Sequence, residues 1–292
     1  MKVLITGGSG LLGQYLNIEL SKENEILTLY NQHEGNCKEF NSYKIDITNF
    51  DELIKVFREF LPDIVIHAAA VSTPQPSEKL STKEVYGINV NATKIIAEQC
   101  EKYKAKLIYT STDLVYAGYR GSMLIENSKL IPVSLYAETK LMGETKIQEV
   151  FNNYIILRTA LLYGFGLNHS RCYFDTMYKN LKEKTKVKLL TDQFRTPLSV
   201  IEASRIISSL LKSDVKGEIV NFGGLERVSR YELGEILCDI ANLDKRLLEK
   251  ITMDDIPGFP KVEDVSMNTE KLQSYGFKQN EIKESIKEIL KY

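Results

Sequence analysis

The chain has no tryptophan, three histidines and four cysteines among its 292 residues. Cys37, Cys100, Cys172 and Cys238 are scattered without a C-x-x-C pair, so free thiols are expected rather than a disulfide framework. His33, His67 and His169 stand at no zinc-like spacing from one another or from a cysteine, which argues against a structural metal. His67, inside Asp63-Ile-Val-Ile-His-Ala-Ala-Ala70, reads as a strand-end residue rather than a catalyst. Net charge is also scarce, because 38 Lys and Arg face 39 Asp and Glu. That balance gives no electrostatic argument for nucleic acid or an anionic membrane as a partner. No apolar run approaches the ~18 residues of a membrane-spanning helix. A secretory leader is not expected, since the first strand of the fold begins at residue 2, and a cytoplasmic protein follows.

Glycine is where the information concentrates. Val3, Leu4 and Ile5 form a continuous apolar run, the pattern of a buried parallel strand over Lys2 to Thr6. Gly7, Gly10 and Gly13 follow at every third position, opening an amphipathic helix over Leu11 to Leu20. The first glycine permits a tight turn and the second lets backbone approach a pyrophosphate. The third lets helix and strand pack closely, so that the helix N-terminus faces the phosphates. Ser9, Leu11 and Leu12 then fall beside a dinucleotide. The spacing G-x-x-G-x-x-G is the short-chain dehydrogenase/reductase variety.

Strands and helices alternate through the first half, the rhythm of a parallel sheet covered on both faces. Expected strands are Lys2–Thr6, Glu25–Tyr30, Ile64–His67, Lys106–Thr110 and Tyr154–Arg158, with a further short strand in Ser42-Tyr-Lys-Ile-Asp-Ile-Thr48 closing with Asp46. Expected helices are Leu11–Leu20, Asp51–Phe60, Val85–Tyr103 and Leu135–Phe151. Beyond Tyr163-Gly-Phe-Gly166 the pattern loosens into a helix over Cys172–Glu183, a strand over Lys186–Leu190, a helix over Val200–Lys212 and a strand over Glu218–Phe222. The reading is an α/β Rossmann-like doubly wound sheet over 1–165. Residues 166–292 form a small substrate-binding lobe interleaved with sheet extensions.

Tyr136 and Lys140 lie four apart in a segment that begins a helix after Pro132, with Ser134 at the N-cap. An i, i+4 pair shares one helical face, so phenol and ammonium point into one cleft. Reducing a ketone requires a hydride donor on one face and a proton donor at the oxygen. A free phenol titrates near 10 and is a poor partner at neutrality, so a neighbouring Lys140 ammonium is expected to lower it. A second Y-x-x-x-K, Tyr178 and Lys182, reads as a solvated helix face. Position separates the two pairs. Tyr136 follows a strand ending in Thr110-Ser-Thr-Asp113, whose hydroxyls stand at the edge where open parallel sheets bind ligands.

With these residues in hand the chain resembles the extended short-chain dehydrogenase/reductases, and most the dTDP-4-dehydrorhamnose reductase family. The resemblance covers nearly the whole length. It rests on Thr6 to Gly13, Asp46-Ile-Thr48, His67-Ala-Ala-Ala70, Asn89, Ser111-Thr-Asp113, Tyr136 with Lys140, Arg158-Thr159, Tyr163-Gly164 and Asp192-Gln193 with Pro197. It implies that Thr112 orients a 4-keto oxygen, that Tyr136 donates the proton and that Lys140 holds the nicotinamide ribose. Asp46 and Ile47 would flank the adenine, Ala68, Ala69 and Ala70 would line ribose and pyrophosphate, and Asn89 would brace the site within the cofactor shell. Ser72, Asp113 and Arg195 are the expected substrate contacts, Arg195 because a guanidinium grips a diphosphate bidentately. Related dehydratases place Glu where this chain has Leu114, and epimerases usually carry a small residue in place of Asp113. The family's usual Tyr at Leu114 and Trp near Leu161 are missing here, leaving Tyr116, Tyr163 or Phe165 to supply a stacking surface. The family's C-terminal Arg-Pro is replaced by Phe259-Pro-Lys261.

The second strand ends Leu29-Tyr30-Asn31-Gln32, with no acid to accept from a ribose 2′-hydroxyl. NADP(H) is therefore expected ahead of NAD(H), with Tyr30 and Asn31 beside the cofactor. The main reading is reduction of the 4-keto group of a nucleotide-activated deoxysugar for surface polysaccharide synthesis, with a homodimer as one assembly open to it. Two alternatives stand beside it. One is a nucleotide-sugar epimerase. The other is a non-catalytic protein like the regulatory subunit of methionine adenosyltransferase.

Overall fold

The computed structural model describes residues 1–72, 80–258 and 261–292. Phe259 and Pro260, which stand in the replaced Arg-Pro segment, lie outside the described residues.

Four αβ repeats build the first half. Strand β1 (Lys2–Thr6) leads through the glycine turn into α1 (Leu11–Leu20), and β2 (Glu25–Tyr30) follows. Next come β3 (Ser42–Lys44), α2 (Phe50–Phe60) and β4 (Ile64–His67). Then α3 (Thr82–Tyr86), a π-helical turn (Gly87–Asn91) and α4 (Ala92–Tyr103) run as one stack before β5 (Lys106–Thr110). Helix α5 (Leu135–Val150) precedes β6 (Tyr154–Thr159). Ser134 caps α5 as expected, its hydroxyl accepting from Ala137 N–H at 3.2 Å. The strand expected to close with Asp46 stops at Lys44, and the Asp46 carboxylate accepts from the Thr48 N–H and hydroxyl at 2.9 and 2.7 Å.

The second half adds short β7 (Leu162–Tyr163), α6 (Tyr173–Lys182), β8 (Val187–Leu190), β9 (Phe194–Arg195) and β10 (Leu198–Ser199). Helix α7 (Val200–Leu211) leads to β11 (Glu218–Phe222). Last come β12 (Val228–Ser229), α8 (Arg230–Ala241), β13 (Leu248–Ile251), α9 (Glu270–Ser274) and α10 (Ile282–Ile289).

The main sheet is parallel in the order β11-β6-β5-β4-β1-β2-β3. The order reverses between β1 and β4, and at such a switch point the strand ends open a crevice. Buried strands account for the continuous apolar runs, since every residue of β4 and β6 is buried. One apolar layer packs α1 and α7 on one face, and a second packs α2, α4 and α5 on the other. Chain from the second half thus completes the sheet of the first, with β11 alongside β6. Among the described residues no helix is long and apolar enough to cross a membrane.

Candidate active site

Gly7 holds a φ of +72°, and a Cβ there would stand 2.7 Å from the Ala69 backbone nitrogen. A Cβ on Gly13 would collide with the Gly7 carbonyl oxygen. These two contacts let the loop after β1, the loop after β4 and the start of α1 close up on one another. Helix α1 begins at Gly10 with no side-chain cap and no acid in its first turn, whereas side chains cap α2, α5 and α8. Its first N–H groups are therefore left for an anion. They border a cavity of about 390 Å³.

That cavity gathers nearly all of the expected cofactor positions. Gly7, Ser9, Gly10, Leu11, Leu12, Gly13, Tyr30, Asn31, Asp46, Ile47, Ala68, Ala69 and Ala70 line it, together with Ser72. The loops fit an extended dinucleotide. Tyr136 and Lys140 line the adjoining cavity, and Asn89 lies behind the loop as a brace. Its amide oxygen accepts from Val71 N–H at 2.9 Å, and its NH₂ donates to Val71 O and to Thr139 Oγ1 at 3.2 and 3.0 Å. With its polar atoms so engaged it borders neither cavity, and it ties the loop after β4 to α5 instead. The π-turn that interrupts the expected Val85–Tyr103 helix carries this residue, as such turns at functional sites often do.

A second cavity, of about 640 Å³, adjoins the first through Leu11, Leu12, Ala68, Ala70 and Ser72. Thr112, Asp113, Tyr136, Lys140 and Arg195 all line it. Tyr136 and Lys140 share a face of α5 as their spacing requires. Tyr178 and Lys182 stay on α6, outside both cavities, where Tyr178 packs on Phe165 with ring centres 5.1 Å apart.

The electrostatics depart from expectation. Burial pushes the Tyr136 phenol up to about 12, opposed by the neighbouring Thr112 hydroxyl and reinforced by Asp113. The expected lowering by Lys140 is not found, since burial is the largest influence on this phenol and Lys140 is not among the groups that shift it. Burial also draws Lys140 down to about 7, with Glu144 pulling the other way. The Lys140 ammonium lies over the Tyr109 ring, 4.0 Å from its centre. His67 is a buried strand-end residue between Thr6 Oγ1 and Thr93 Oγ1, at 2.7 and 2.9 Å. Burial drives its imidazole down to about 3, so it stays neutral.

Behind Thr112, the Glu144 carboxylate meets the Arg158 guanidinium at 2.8 Å, and Ser111 Oγ donates to Glu144 at 2.5 Å. This buried pair anchors the end of β5. Asp113 lies in the cleft wall with Arg195 Nε 3.6 Å from its Oδ2, which has no hydrogen-bond partner among the described residues. Burial raises the Asp113 carboxyl, Arg195 opposing it. Arg195 is buried, not on a surface loop; its Nη1 donates to Phe194 O at 2.6 Å and burial draws it down to about 10.

The expected stacking residues are not at the cleft. Tyr116 is buried and donates to Asn221 at 2.6 Å, Tyr163 packs against Phe174, and Phe165 packs between Phe174 and Tyr178. Leu114, Val133, Leu161, Leu162 and Val262 line the wall instead. Sequence reasoning also missed Arg230, which lines the larger cavity from the first turn of α8. Its guanidinium lies 4.5 Å from the Tyr173 ring centre, Nε donates to Gln193, and Nη1 has no partner among the described residues. The readable signal was the capping box Ser229-x-x-Glu232, which fixes a helix start at Arg230.

A glycine loop at the switch point of a seven-stranded parallel sheet, joined to a cleft lined by Tyr136 and Lys140, defines an extended short-chain dehydrogenase/reductase fold. The family model described as the RmlD substrate binding domain matches residues 1–292, and the chain belongs to that family. A dTDP-4-dehydrorhamnose reductase from Aggregatibacter actinomycetemcomitans is 27% identical over 271 residues, spanning 89% of this chain and 87% of the relative. Methionine adenosyltransferase 2 subunit beta from Pongo abelii is 25% identical over 290 residues, spanning 95% and 83%. The crystal structure of a dTDP-4-dehydrorhamnose reductase from Bacillus anthracis in complex with NADP superposes with a TM-score of 0.84 at 25% identity, covering 99% of this chain and 98% of that one.

Proposed function

We propose that this chain reduces the 4-keto group of a nucleotide-activated deoxysugar with NADP(H), the dTDP-4-dehydrorhamnose reductase reaction, and accepts NAD(H) less readily. The observation that carries this is the convergence of Thr112, Tyr136 and Lys140 on the larger cavity where it meets the glycine-loop cavity. The likeness to reductases, one of them solved with NADP, supports it.

The bound nicotinamide supplies the hydride. Thr112 and Tyr136, which line the same cavity, address the keto oxygen from the protein side. At neutral pH the phenol holds its proton, because burial has pushed it up to about 12. An alkoxide developing at the sugar is a far stronger base than a phenolate, so proton transfer from Tyr136 Oη runs downhill. Lys140 holds the cofactor ribose beside the phenol. The Arg195 and Arg230 guanidiniums offer donors to the substrate diphosphate. Residues 1–165 supply the dinucleotide unit and 166–292 the substrate lobe, which lends β11 to the sheet. A homodimer, a cytoplasmic location and a role in surface polysaccharide synthesis accompany this reading.

Asp113 and Leu114 favour reduction over epimerisation and dehydration, since no carboxylate stands at 114 to remove a sugar proton. The regulatory reading draws support from the likeness to the methionine adenosyltransferase subunit. A docking subunit has no use for a phenol and an ammonium aimed into a cleft, and that favours the enzyme. The test is NADPH oxidation with dTDP-4-dehydrorhamnose by wild type and Tyr136→Phe. The variant is expected to lose about 10²- to 10⁴-fold in kcat while binding NADPH almost as before. Turnover at the wild-type rate would remove Tyr136 as proton donor. NADPH binding by wild type with no oxidation of any 4-keto sugar nucleotide would favour the regulatory reading.

A further inference from the structure

Two of the three histidines meet at the outer end of the smaller cavity. His33 stands three residues beyond the end of β2, and His169 sits in the loop before α6. Their rings lie with centroids 4.6 Å apart and planes tilted by 35°. Both are exposed, and both line the cavity beside Tyr30, Asn31 and Gln32.

The His169 loop is fastened to the glycine loop. Ser170 Oγ donates to Ser9 O at 3.1 Å, and Gln14 Nε2 donates to Leu167 O at 2.9 Å. Asn168 Nδ2 donates to Gln14 Oε1 at 2.7 Å, and the Gln14 oxygen also accepts from Asn36 N–H in the chain after β2. One glutamine thus ties the chain after β2 to the loop before α6 and holds the imidazoles in register.

The end of the second strand is where this fold reads the adenosine ribose. From Leu29 to His33 the chain carries neither an acid for a 2′-hydroxyl nor an arginine for a 2′-phosphate. Two imidazoles facing the same cavity fill that gap. The charged groups around them are Arg171 on the loop of His169, and Glu34, whose carboxylate accepts from the Tyr30 hydroxyl at 3.2 Å. Burial, then His33, then Arg171 hold His169 below its usual range, so this imidazole resists protonation until an anion arrives.

We propose that His33 and His169 form the recognition site for the 2′-phosphate of NADP(H), so that preference over NAD(H) increases as pH falls from about 8 toward 6. This rests on the reading of the smaller cavity as a dinucleotide site. A dianion beside the rings favours imidazolium, as any opposite charge does. The gain ends near pH ~6, where a phosphate monoester takes up its second proton.

The experiment measures dissociation constants for NADPH, NADH and adenosine 2′,5′-bisphosphate by calorimetry at pH 6.3 and 8.0. Wild type, His33→Ala with His169→Ala, and His33→Arg are compared. The double variant should bind NADPH and the bisphosphate about tenfold or more weaker at pH 6.3 with NADH unchanged, while His33→Arg keeps the preference with a weaker pH dependence, His169 still titrating. An NADPH-to-NADH ratio unaltered in the double variant, or independent of pH in wild type, would overturn the proposal. Failure of wild type to bind either dinucleotide would overturn the cavity assignment itself, and the histidine site with it. Tight NADH binding with no discrimination would sink the histidine site alone.

Discussion

The Nζ of Lys140 rests 4.0 Å from the centre of the Tyr109 ring, joining α5 to β5 beneath the cleft. Lys140 is 2% exposed and Tyr109 fully buried, so the contact replaces water around the ammonium with the negative face of an aromatic ring. Burial still prevails and draws Lys140 down to about 7.

That depression has a definite sign in stability. An unfolded lysine keeps its proton to about pH 10.4, whereas Lys140 in the folded chain releases it near 7. Between those values the unfolded state binds more protons, so stability attributable to this group rises with pH; below 7 the folded state bears the full cost of the buried charge. That cost is roughly 4 to 5 kcal/mol at most. Lys140→Met should therefore unfold at a higher temperature than wild type at pH 6, with the gap closing by about pH 10, while reductase activity is lost. A constant difference across the pH range, read by thermal unfolding, would show that Lys140 carries no buried charge.

The Arg158–Glu144 pair, 2% and 1% exposed in its side chains, yields a second expectation. Glu144→Gln or Arg158→Met leaves a buried charge with its partner gone, at a cost of about 3–5 kcal/mol. Replacing both by apolar residues removes that penalty, so the double variant should be more stable than either single one in urea unfolding. Because Ser111 leans on Glu144, both single variants should also displace Thr112 and lower kcat.

Arg230 supplies a third. A guanidinium that hydrogen-bonds a phosphate contributes about 1.5–3 kcal/mol, equivalent to about 10- to 100-fold in affinity. Arg230→Met should raise KM for the nucleotide sugar within that range and leave the NADPH dissociation constant unchanged. Steady-state kinetics with isothermal titration of NADPH separates the two. An unaltered KM would remove Arg230 from the substrate site.

Legibility varied along the chain for physical reasons. The elements of the first half are long, regular and buried on the sheet, and their apolar runs place β1, α1, β2, β4 and β5 within the residues expected. The two-residue strands β7, β9, β10 and β12 carry no pattern of their own and exist only against their partners, as β12 does antiparallel to β9. The Asn89 π-turn was hidden inside an amphipathic helix pattern. What betrays it is a set of hydrogen bonds to Val71 and Thr139.

The sequence by itself determined the glycine turn, the alternation of strand and helix, and the pairing of Tyr136 with Lys140 on one helical face. Each of these follows from backbone geometry over a few residues, where spacing alone sets which side chains are neighbours. Tertiary structure alone decided that Arg230 enters the cleft beside Arg195, that His33 meets His169, and that Tyr116, Tyr163 and Phe165 turn inward. It also decided the direction in which Tyr136 and Lys140 titrate, because desolvation depends on everything packed around a group and not on the residue four places along.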